Sequence, residues 1–379
     1  MNFELTEDQK MIQDMVRDFA KKYVEPGILE RDTSMEFPHD IVAQLAEHGL
    51  MGMVYPEEYG GTGVDTISFA LAIEELARHD GSLALTVASH TSLCTGHIFQ
   101  FGSKELKDKY MPDLVSGTKL GGWGLTEAGS GSDASGMKTT AVLDGDHYII
   151  NGGKLFITQG SVGKTFVILA VTDRSKGNKG ISAFVLESSM DGFSHGEKMD
   201  KLGMRSSDTR ELIFENVKVP KENLLGELNH GFIDTMKVLE GGRIGIGALA
   251  IGLARGALDD SIAHAKERVQ FGKPLSKLQA IQFKIAEMAT ELEGARLLVH
   301  QAAYLKDQGK PFGLEASTAK YHASEVGMKI CSDGIQIHGG YGYMEEYHVE
   351  RYYRDMKLCE IGEGTTEIQK MVIAKSMLK

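Results

Sequence analysis

Gly124-Leu125-Thr126-Glu127-Ala128-Gly129-Ser130-Gly131-Ser132-Asp133-Ala134-Ser135-Gly136 is the densest polar glycine loop in the chain, and the fold turns on what this loop joins. Gly129, Gly131 and Ala134 satisfy the pattern G-x-G-x-x-A, which has physical meaning only between a strand and a helix whose N-terminus faces a pyrophosphate. Here the loop runs into Thr139-Thr140-Ala141-Val142 and then an Asp144-Gly145-Asp146 turn. That is strand-and-turn grammar, so a doubly wound dinucleotide fold is rejected. Composition alone leaves the loop open between an ordinary surface connection and a ligand cradle. Trp123 before it and Phe156 after the next strand, two aromatic residues able to flank a ring, favour the cradle.

Outward from the loop, residues 148–151, 165–172 and 180–187 are short runs rich in Val, Ile and Phe, separated by Gly and Asp turns, and read as strands of a β region over 121–228. Before it, residues 1–120 read as helical. Thr6 with Gln9 makes a capping box, and Met11, Ile12, Met15, Val16, Phe19 and Ala20 then share one helical face. Further helices are predicted at 40–48, 66–79 and 104–116, with Pro56 and the Gly60, Gly61, Gly63 cluster marking a long loop. After residue 229 helical spacing returns to the end at 379, with segments near 232–267, 277–308, 314–337 and 366–378. The first of these carries Gly241, Gly242, Gly245, Gly247, Gly252 and Gly256. Each glycine costs a helix about 1 kcal/mol against alanine, so a neighbouring helix or a flat ligand must need close backbone approach there.

The formal net charge is −12 with no dense basic run, which argues against nucleic acid and anionic membrane surfaces as partners. Cys94, Cys331 and Cys359 form no C-x-x-C, and no H-E-x-x-H occurs, so structural disulfides and a metal site are not expected; each cysteine reads as a small buried hydrophobe. The apolar stretch 244–254 is about half of what a bilayer crossing needs and is bracketed by Arg243 and Arg255, so no membrane insertion is expected. The first residues carry no targeting signal, and a cytoplasmic bacterial protein is the simplest expectation. No period of repeats and no low-complexity segment is present.

A second constellation lies near the end: Gln336, Gly339-Gly340-Tyr341-Gly342-Tyr343, Glu346, Arg351 and Asp355, followed by Glu363 between Gly362 and Gly364 and then Thr365-Thr366-Glu367. A carboxylate between two glycines just ahead of a helix has room for a substrate and free backbone N–H groups beside it. The plainer alternative is that Glu363 merely precedes a helix capped by Thr365 or Thr366.

Together these stretches resemble the acyl-CoA dehydrogenase family, with short-chain, butyryl-CoA-dehydrogenase-like bacterial members as the nearest pattern. Residues 124–136, 336–355 and 353–369 match its motifs in order, and the likeness covers essentially the whole chain. The resemblance implies an α+β architecture: an N-terminal all-α region, a small central β-barrel or sandwich, and a C-terminal four-helix bundle. It implies an FAD cofactor whose ring is lined by Trp123, Leu125 and Thr126, with Ser132 touching both cofactor and the CoA arm. Phe156, Ile157 and Thr158 fall where the family commonly has Trp-Ile-Thr or Trp-Ile-Ser, so Phe156 keeps an aromatic face but lacks the indole N–H. Arg268, Gln270, Phe271 and Gln279 match residues that hold the FAD phosphates and adenosine of a neighbouring subunit. Gln336, Gly339, Gly340, Thr365 and Glu367 resemble the rest of the cradle, which implies at least a dimer and usually a homotetramer. Glu240, Arg243 and Gly364 match positions near the substrate.

In the same resemblance Glu363 is the catalytic base. Some members carry the base on the glycine-rich helix at the position of Gly242, which has no carboxylate here. The implied reaction removes the α proton of an acyl-CoA thioester while a hydride leaves the β carbon for the flavin, giving a trans-2-enoyl-CoA, with an electron-transfer flavoprotein as acceptor. The thioester carbonyl would be held by the Glu363 backbone N–H and a ribityl hydroxyl of FAD. Two rival readings share the fold: an acyl-CoA oxidase, disfavoured because oxidases usually carry a longer C-terminal extension, and a non-catalytic acyl-CoA binding protein. Finally, the family frequently has tyrosine where Gly362 stands. Either this glycine leaves room for a bulkier acyl group, or it serves a backbone turn with positive φ.

Overall fold

The computed structural model describes residues 3–378. The first helix, α1 (Glu7–Phe19), begins at the expected capping box: Gln9 N donates to Thr6 Oγ1 at 3.2 Å and Thr6 N to Gln9 Oε1 at 3.0 Å. Its inward face differs from the sequence pattern. Val16 and Phe19 are buried, but so are Gln9 and Gln13, while Met11 and Met15 stay exposed. A polar contact turns the helix: Gln9 Nε2 donates to Asp65 Oδ2 at 2.7 Å, and Asp65 in turn caps α4 (Thr66–Ala77) through Ser68 N. Between them lie α2 (Ile28–Ser34) and α3 (His39–Glu47), and after them α5 (Gly81–Ser89), α6 (Gly96–Phe101) and α7 (Lys104–Val115). Helices α4 and α5 are buried on nearly every side, so apolar residues run through them without a stripe, and the helices between 81 and 101 escaped sequence detection.

The middle of the chain forms an eight-stranded sheet. Its strands are β1 (Gly121–Gly124), β2 (Thr140–Asp144), β3 (His147–Thr158), β4 (Thr165–Val171), β5 (Ile181–Glu187), β6 (Phe193–His195), β7 (Thr209–Pro220) and β8 (Leu224–Leu225). The order is β6-β7-β3-β2-β4-β5-β8, with β1 parallel to β4. β4 is buried along its whole length, as its unbroken apolar run requires. β3 is far longer than the sequence suggested because it bends twice against β7, with register shifts at Ile150/Gly152 and Lys154/Ile157. The second shift leaves Phe156 at φ +60°. The glycine loop therefore connects strand to strand, with only a short turn at Ala134–Gly136 between.

The chain then returns to helices: α8 (Gly231–Glu267), α9 (Gln279–Asp307), α10 (Gly313–His338), α11 (His348–Ile361) and α12 (Thr366–Met377). A small hairpin of β9 (Val269–Gln270) and β10 (Lys273–Pro274) separates α8 from α9. α8 packs on α9, α10 and α11 as a bundle and also on α4 and α5, so one apolar core spans the N- and C-terminal helical regions. Its glycines are explained by neighbours. A β-carbon on Gly252 would overlap the Glu74 carbonyl oxygen of α4, and one on Gly256 would overlap the Arg78 carbonyl oxygen. α11, which the sequence reading left unassigned, ties the sheet to the bundle: Asp355 Oδ1 accepts from Met204 N at 2.5 Å. The three cysteines are free and buried, and among the described residues no helix is long and apolar enough to cross a membrane.

Because α4 and α8 touch backbone to backbone at Gly252, Gly252→Val should force them apart. Overpacking of this kind costs roughly 1–3 kcal/mol, visible as a lower denaturation midpoint, whereas Gly294→Ala, in open space on α9, should be neutral or slightly stabilising.

Candidate active site

Between the sheet and the bundle lies a cavity of about 660 Å³, within the range of ligand sites. Its sheet-side wall is Trp123, Leu125 and Thr126 at the end of β1, residues 131–135 of the glycine loop including Ser132, and Phe156, Ile157, Thr158 and Gln159 at the end of β3. Its bundle-side wall is Phe232, Met236, Leu239, Arg243 and Ile246 of α8, together with residues 361–365 between α11 and α12. Two elements far apart in sequence thus converge on one space, as the two motifs had suggested separately.

The sheet-side wall is built on a buried lysine. Lys154 is fully enclosed, and its ammonium donates to Glu127 Oε1 at 2.7 Å and to the Leu125 carbonyl at 3.2 Å. Burial pushes Lys154 down to about 8 despite Glu127. Burial also works against the Glu127 charge, but the Lys154 cation and the bonds from Thr139 and Lys138 hold that carboxyl below its ordinary value. Glu127 accepts from Lys138 N at 2.6 Å and Thr139 N at 3.0 Å, which closes the loop from its far end. Gly129 and Gly131 face open space, so the loop's backbone is free to meet a ligand.

The bundle side carries Glu363. It sits at φ +53°, in the left-handed region that non-glycine residues avoid, and is followed by Gly364 at φ +97°. The left-handed conformation costs roughly 1–2 kcal/mol, and two donors offset it. Lys320 Nζ reaches the Gly364 carbonyl at 2.7 Å, and Gln369 Nε2 donates to the same oxygen at 2.9 Å and to the Glu363 carbonyl at 3.2 Å. A charge-assisted bond contributes roughly 1.5–3 kcal/mol, enough to fix the turn. Thr365 then caps α12 by accepting from Ile368 N. The plainer role of this segment, a helix start, is real, but it accompanies Glu363 rather than explaining it.

The Glu363 carboxyl lies over Gly242: a β-carbon there would overlap Oε2. Oε2 is fully enclosed and has no hydrogen-bond partner among the described residues. Burial pushes the carboxyl up to about 7, against the opposing pull of Lys320 and Arg243. Arg243 is itself buried, donates to Ser317 Oγ at 3.1 Å, and leaves its Nε unpartnered. The Glu363 N–H donates no backbone hydrogen bond among the described residues. A carboxyl poised near neutrality, with a free N–H beside it and a cavity before it, is equipped to take a proton from a carbon acid.

Other expected residues lie elsewhere. Glu240 turns its carboxyl toward Gly313 at the start of α10 and does not line the cavity. Arg268, Gln270, Phe271 and Gln279 cluster around the β9–β10 hairpin and remain exposed, Phe271 at 89%; the Arg268 guanidinium lies 5.1 Å over the Tyr341 ring. Gln336, Gly339 and Gly340 are exposed at the end of α10, and Glu367 on the first turn of α12. Sequence reasoning did not single out Gln159, at φ +65°, whose Nε2 donates to the Thr86 carbonyl at 2.8 Å while Oε1 stays unpartnered, or Met204, at φ +50°. Neither has a local signal, since bulge and turn conformations arise from tertiary packing.

A helical–β–helical chain with an enclosed carboxyl facing an aromatic-walled cavity defines an oxidoreductase built around a flat cofactor. The chain belongs to the acyl-CoA dehydrogenase family: the family's N-terminal, middle and C-terminal domain models match residues 6–118, 122–217 and 229–378. It is 47% identical over 379 residues to the short-chain-specific acyl-CoA dehydrogenase of Clostridium acetobutylicum, covering 100% of both chains. Among solved structures, it superposes on butyryl-CoA dehydrogenase from Megasphaera elsdenii with TM-score 0.99 at 46% identity. A chain from the electron transferring flavoprotein study of Acidaminococcus fermentans gives TM-score 0.99 at 48% identity, and both pairs are covered at 100%. Members of this family are flavin-dependent oxidoreductases with FAD, and the cavity fits that cofactor: an open glycine backbone, aromatic and apolar faces, and the unpartnered Gln159 Oε1 and Glu363 Oε2 on its walls.

Glu363→Gln should retain FAD yet lose flavin reduction by roughly 10²- to 10⁴-fold. In the wild-type protein the reduction rate should rise with pH through a midpoint near 7 as the Glu363 carboxyl ionises. Because folding raises this carboxyl above its unfolded value, its contribution to stability is lost as pH rises through about 7. Glu363→Gln should therefore be no less stable than wild type above pH 7, by thermal denaturation at matched pH.

Proposed function

We propose that this chain oxidises the α,β bond of an acyl-CoA thioester to the trans-2-enoyl-CoA, with Glu363 as base, as a homotetramer in a bacterial cytoplasm that passes electrons to an electron-transfer flavoprotein. The observation that carries it is the Glu363 carboxyl, whose enclosed Oε2 is held over Gly242 without a hydrogen-bond partner among the described residues. An α C–H is far too weak an acid for an ordinary carboxylate, so the site must both strengthen the base and stabilise the enolate. Burial does the first, by keeping the basic form reactive near neutrality. The free Glu363 N–H can do the second, donating to the thioester oxygen as charge develops. FAD, when bound along Trp123, Leu125, Thr126, Ser132, Phe156, Ile157 and Thr158, supplies the acceptor for the β-carbon hydride. The exposed Arg268, Gln270, Phe271, Gln279, Gln336, Gly339 and Gly340 are suited to a neighbouring subunit's cofactor, which supports the tetramer. The electron-transfer partner is supported by the likeness to a chain from the Acidaminococcus fermentans flavoprotein study.

The test is anaerobic mixing of the yellow protein with a panel of acyl-CoA esters: bleaching of the flavin supports dehydrogenation, and its absence with every ester points to a binding protein. Stoichiometric peroxide during aerobic turnover would identify an oxidase instead.

The acyl group is read from Gly362. This glycine has φ −65° and ψ 150°, so a positive-φ turn is not its purpose; the left-handed residues are the two that follow. The nearest atoms a β-carbon there would meet are the Leu358 carbonyl oxygen and side chain, at 3.4 Å and beyond, which is ordinary contact. Since Gly362 lines the cavity beside the base, its missing side chain leaves space next to the thioester for an acyl group broader than butyryl, branched or cyclic. Gly362→Tyr should lower kcat/KM for branched and cyclic esters while sparing short straight chains; equal loss on all would refute the pocket.

A further inference from the structure

One buried cation near the site has no part in the reaction as described above. Lys320, on α10, is fully buried, and its ammonium donates at 2.7 Å to the carbonyl of Gly364, the residue after the base. A lysine stripped of water is retained only where its charge meets something, and its one hydrogen-bond partner among the described residues is a neutral carbonyl in the strained turn. The titratable and charged groups facing Lys320 and Glu363 come from three elements: Arg243 from α8, Lys320 from α10, and Glu360 with the neutral Cys359 thiol from α11. Of these, Lys320 is the strongest influence favouring the ionised carboxyl, ahead of Arg243.

We propose that Lys320 is a positioning residue for the base: through the Gly364 carbonyl it locks the left-handed Glu363–Gly364 pair, and its charge holds the carboxylate ready in a site otherwise hostile to it. This rests on Glu363 being the base. The two roles separate through Gln369, which makes the same bond to the Gly364 carbonyl at 2.9 Å but carries no charge. Removing Gln369 loosens the turn alone; removing Lys320 loosens the turn and withdraws the cation. Burial already presses Lys320 down to about 8, so a substitution by a neutral residue relieves a desolvation cost, and the variants are expected to fold.

The experiment compares Lys320→Met, Lys320→Gln, Lys320→Arg and Gln369→Leu holoenzymes by the pH dependence of anaerobic flavin reduction with an acyl-CoA ester that bleaches the wild type. Both neutral variants should keep their flavin and move the midpoint of the profile upward by about 1 pH unit, the usual effect of losing a nearby opposite charge. At pH 7, at the wild-type midpoint, that is a rate loss of roughly fivefold, approaching roughly tenfold below pH 6. Lys320→Arg should restore the wild-type midpoint even if its rate is lower, and Gln369→Leu should lower the rate at every pH without moving the midpoint. A midpoint unchanged in Lys320→Gln, with the loss uniform across pH as in Gln369→Leu, would overturn the proposal and leave Lys320 a structural residue. If Lys320→Met does not fold, Lys320→Gln, which keeps a donor, decides the outcome. Should both fail, a midpoint in Lys320→Arg that departs from wild type overturns the proposal, and an unchanged one supports it. Failure of the wild type to bleach with any ester would count against the dehydrogenation on which this inference rests, a result distinct from an unmoved midpoint in the Lys320 variants.

Discussion

A carboxyl oxygen enclosed without a hydrogen-bond partner among the described residues is a costly arrangement, and the turn and helices around Glu363 hold it in place. A buried polar atom without a partner costs roughly 1–3 kcal/mol, more when charged. Glu363 avoids part of that cost by remaining protonated until near neutrality. The rest is borne by the turn that presents it, in which two consecutive left-handed residues are stabilised by donors from α10 and α12. A side chain at residue 242 of α8 would displace the Glu363 carboxyl from its present place, so the carboxyl's position depends on this glycine.

That helix is the structural spine for the same reason. Its glycines give up propensity so that α4, α9 and α11 approach its backbone, and the face left between those contacts is where Arg243 and the Glu363 carboxyl fit. Core and site are therefore one packing problem. A change that moves α8 by an ångström to accommodate a larger core residue also moves the surface against which the base rests.

The alternation of helical, β and helical grammar was legible along the chain because each region buries its apolar residues with a recognisable period, and the capping box at Thr6 and Gln9 was read correctly from four residues. Helices α5 and α6 were not, because segments buried on all sides lose their amphipathic stripe. Phe156 and Glu363 could be placed at a site through motif and resemblance, but not given their conformations: the left-handed φ of Phe156 accompanies a bulge against β7, and that of Glu363 a turn held by Gln369 nearby and by Lys320, more than forty residues away. Lys320 and Lys154 were invisible for a related reason. A lysine in a helix or strand reads as solvated surface, and only the fold reveals that its ammonium is turned inward.

The chain treats buried carboxylates in two opposite ways, and the contrast supports the role proposed for Glu363. Glu74 and Glu75, enclosed between α1, α4, α8 and α9, each meet arginines directly: Glu74 accepts from Arg255 at 2.6 Å and Arg296 at 3.0 Å, and Glu75 from Arg17 at 2.8 Å. Guanidinium groups at that distance saturate the lone pairs, and a carboxylate so satisfied is a poor base. Around Glu363 the cations are present but their hydrogen bonds go elsewhere, Arg243 to Ser317 and Lys320 to a carbonyl. Their charge lowers the cost of ionisation while their donors stay off the oxygen that must receive the proton. Pairing Glu363 as Glu74 is paired would make the protein more conventional in its electrostatics and remove the unshared electron pair on which proton transfer depends.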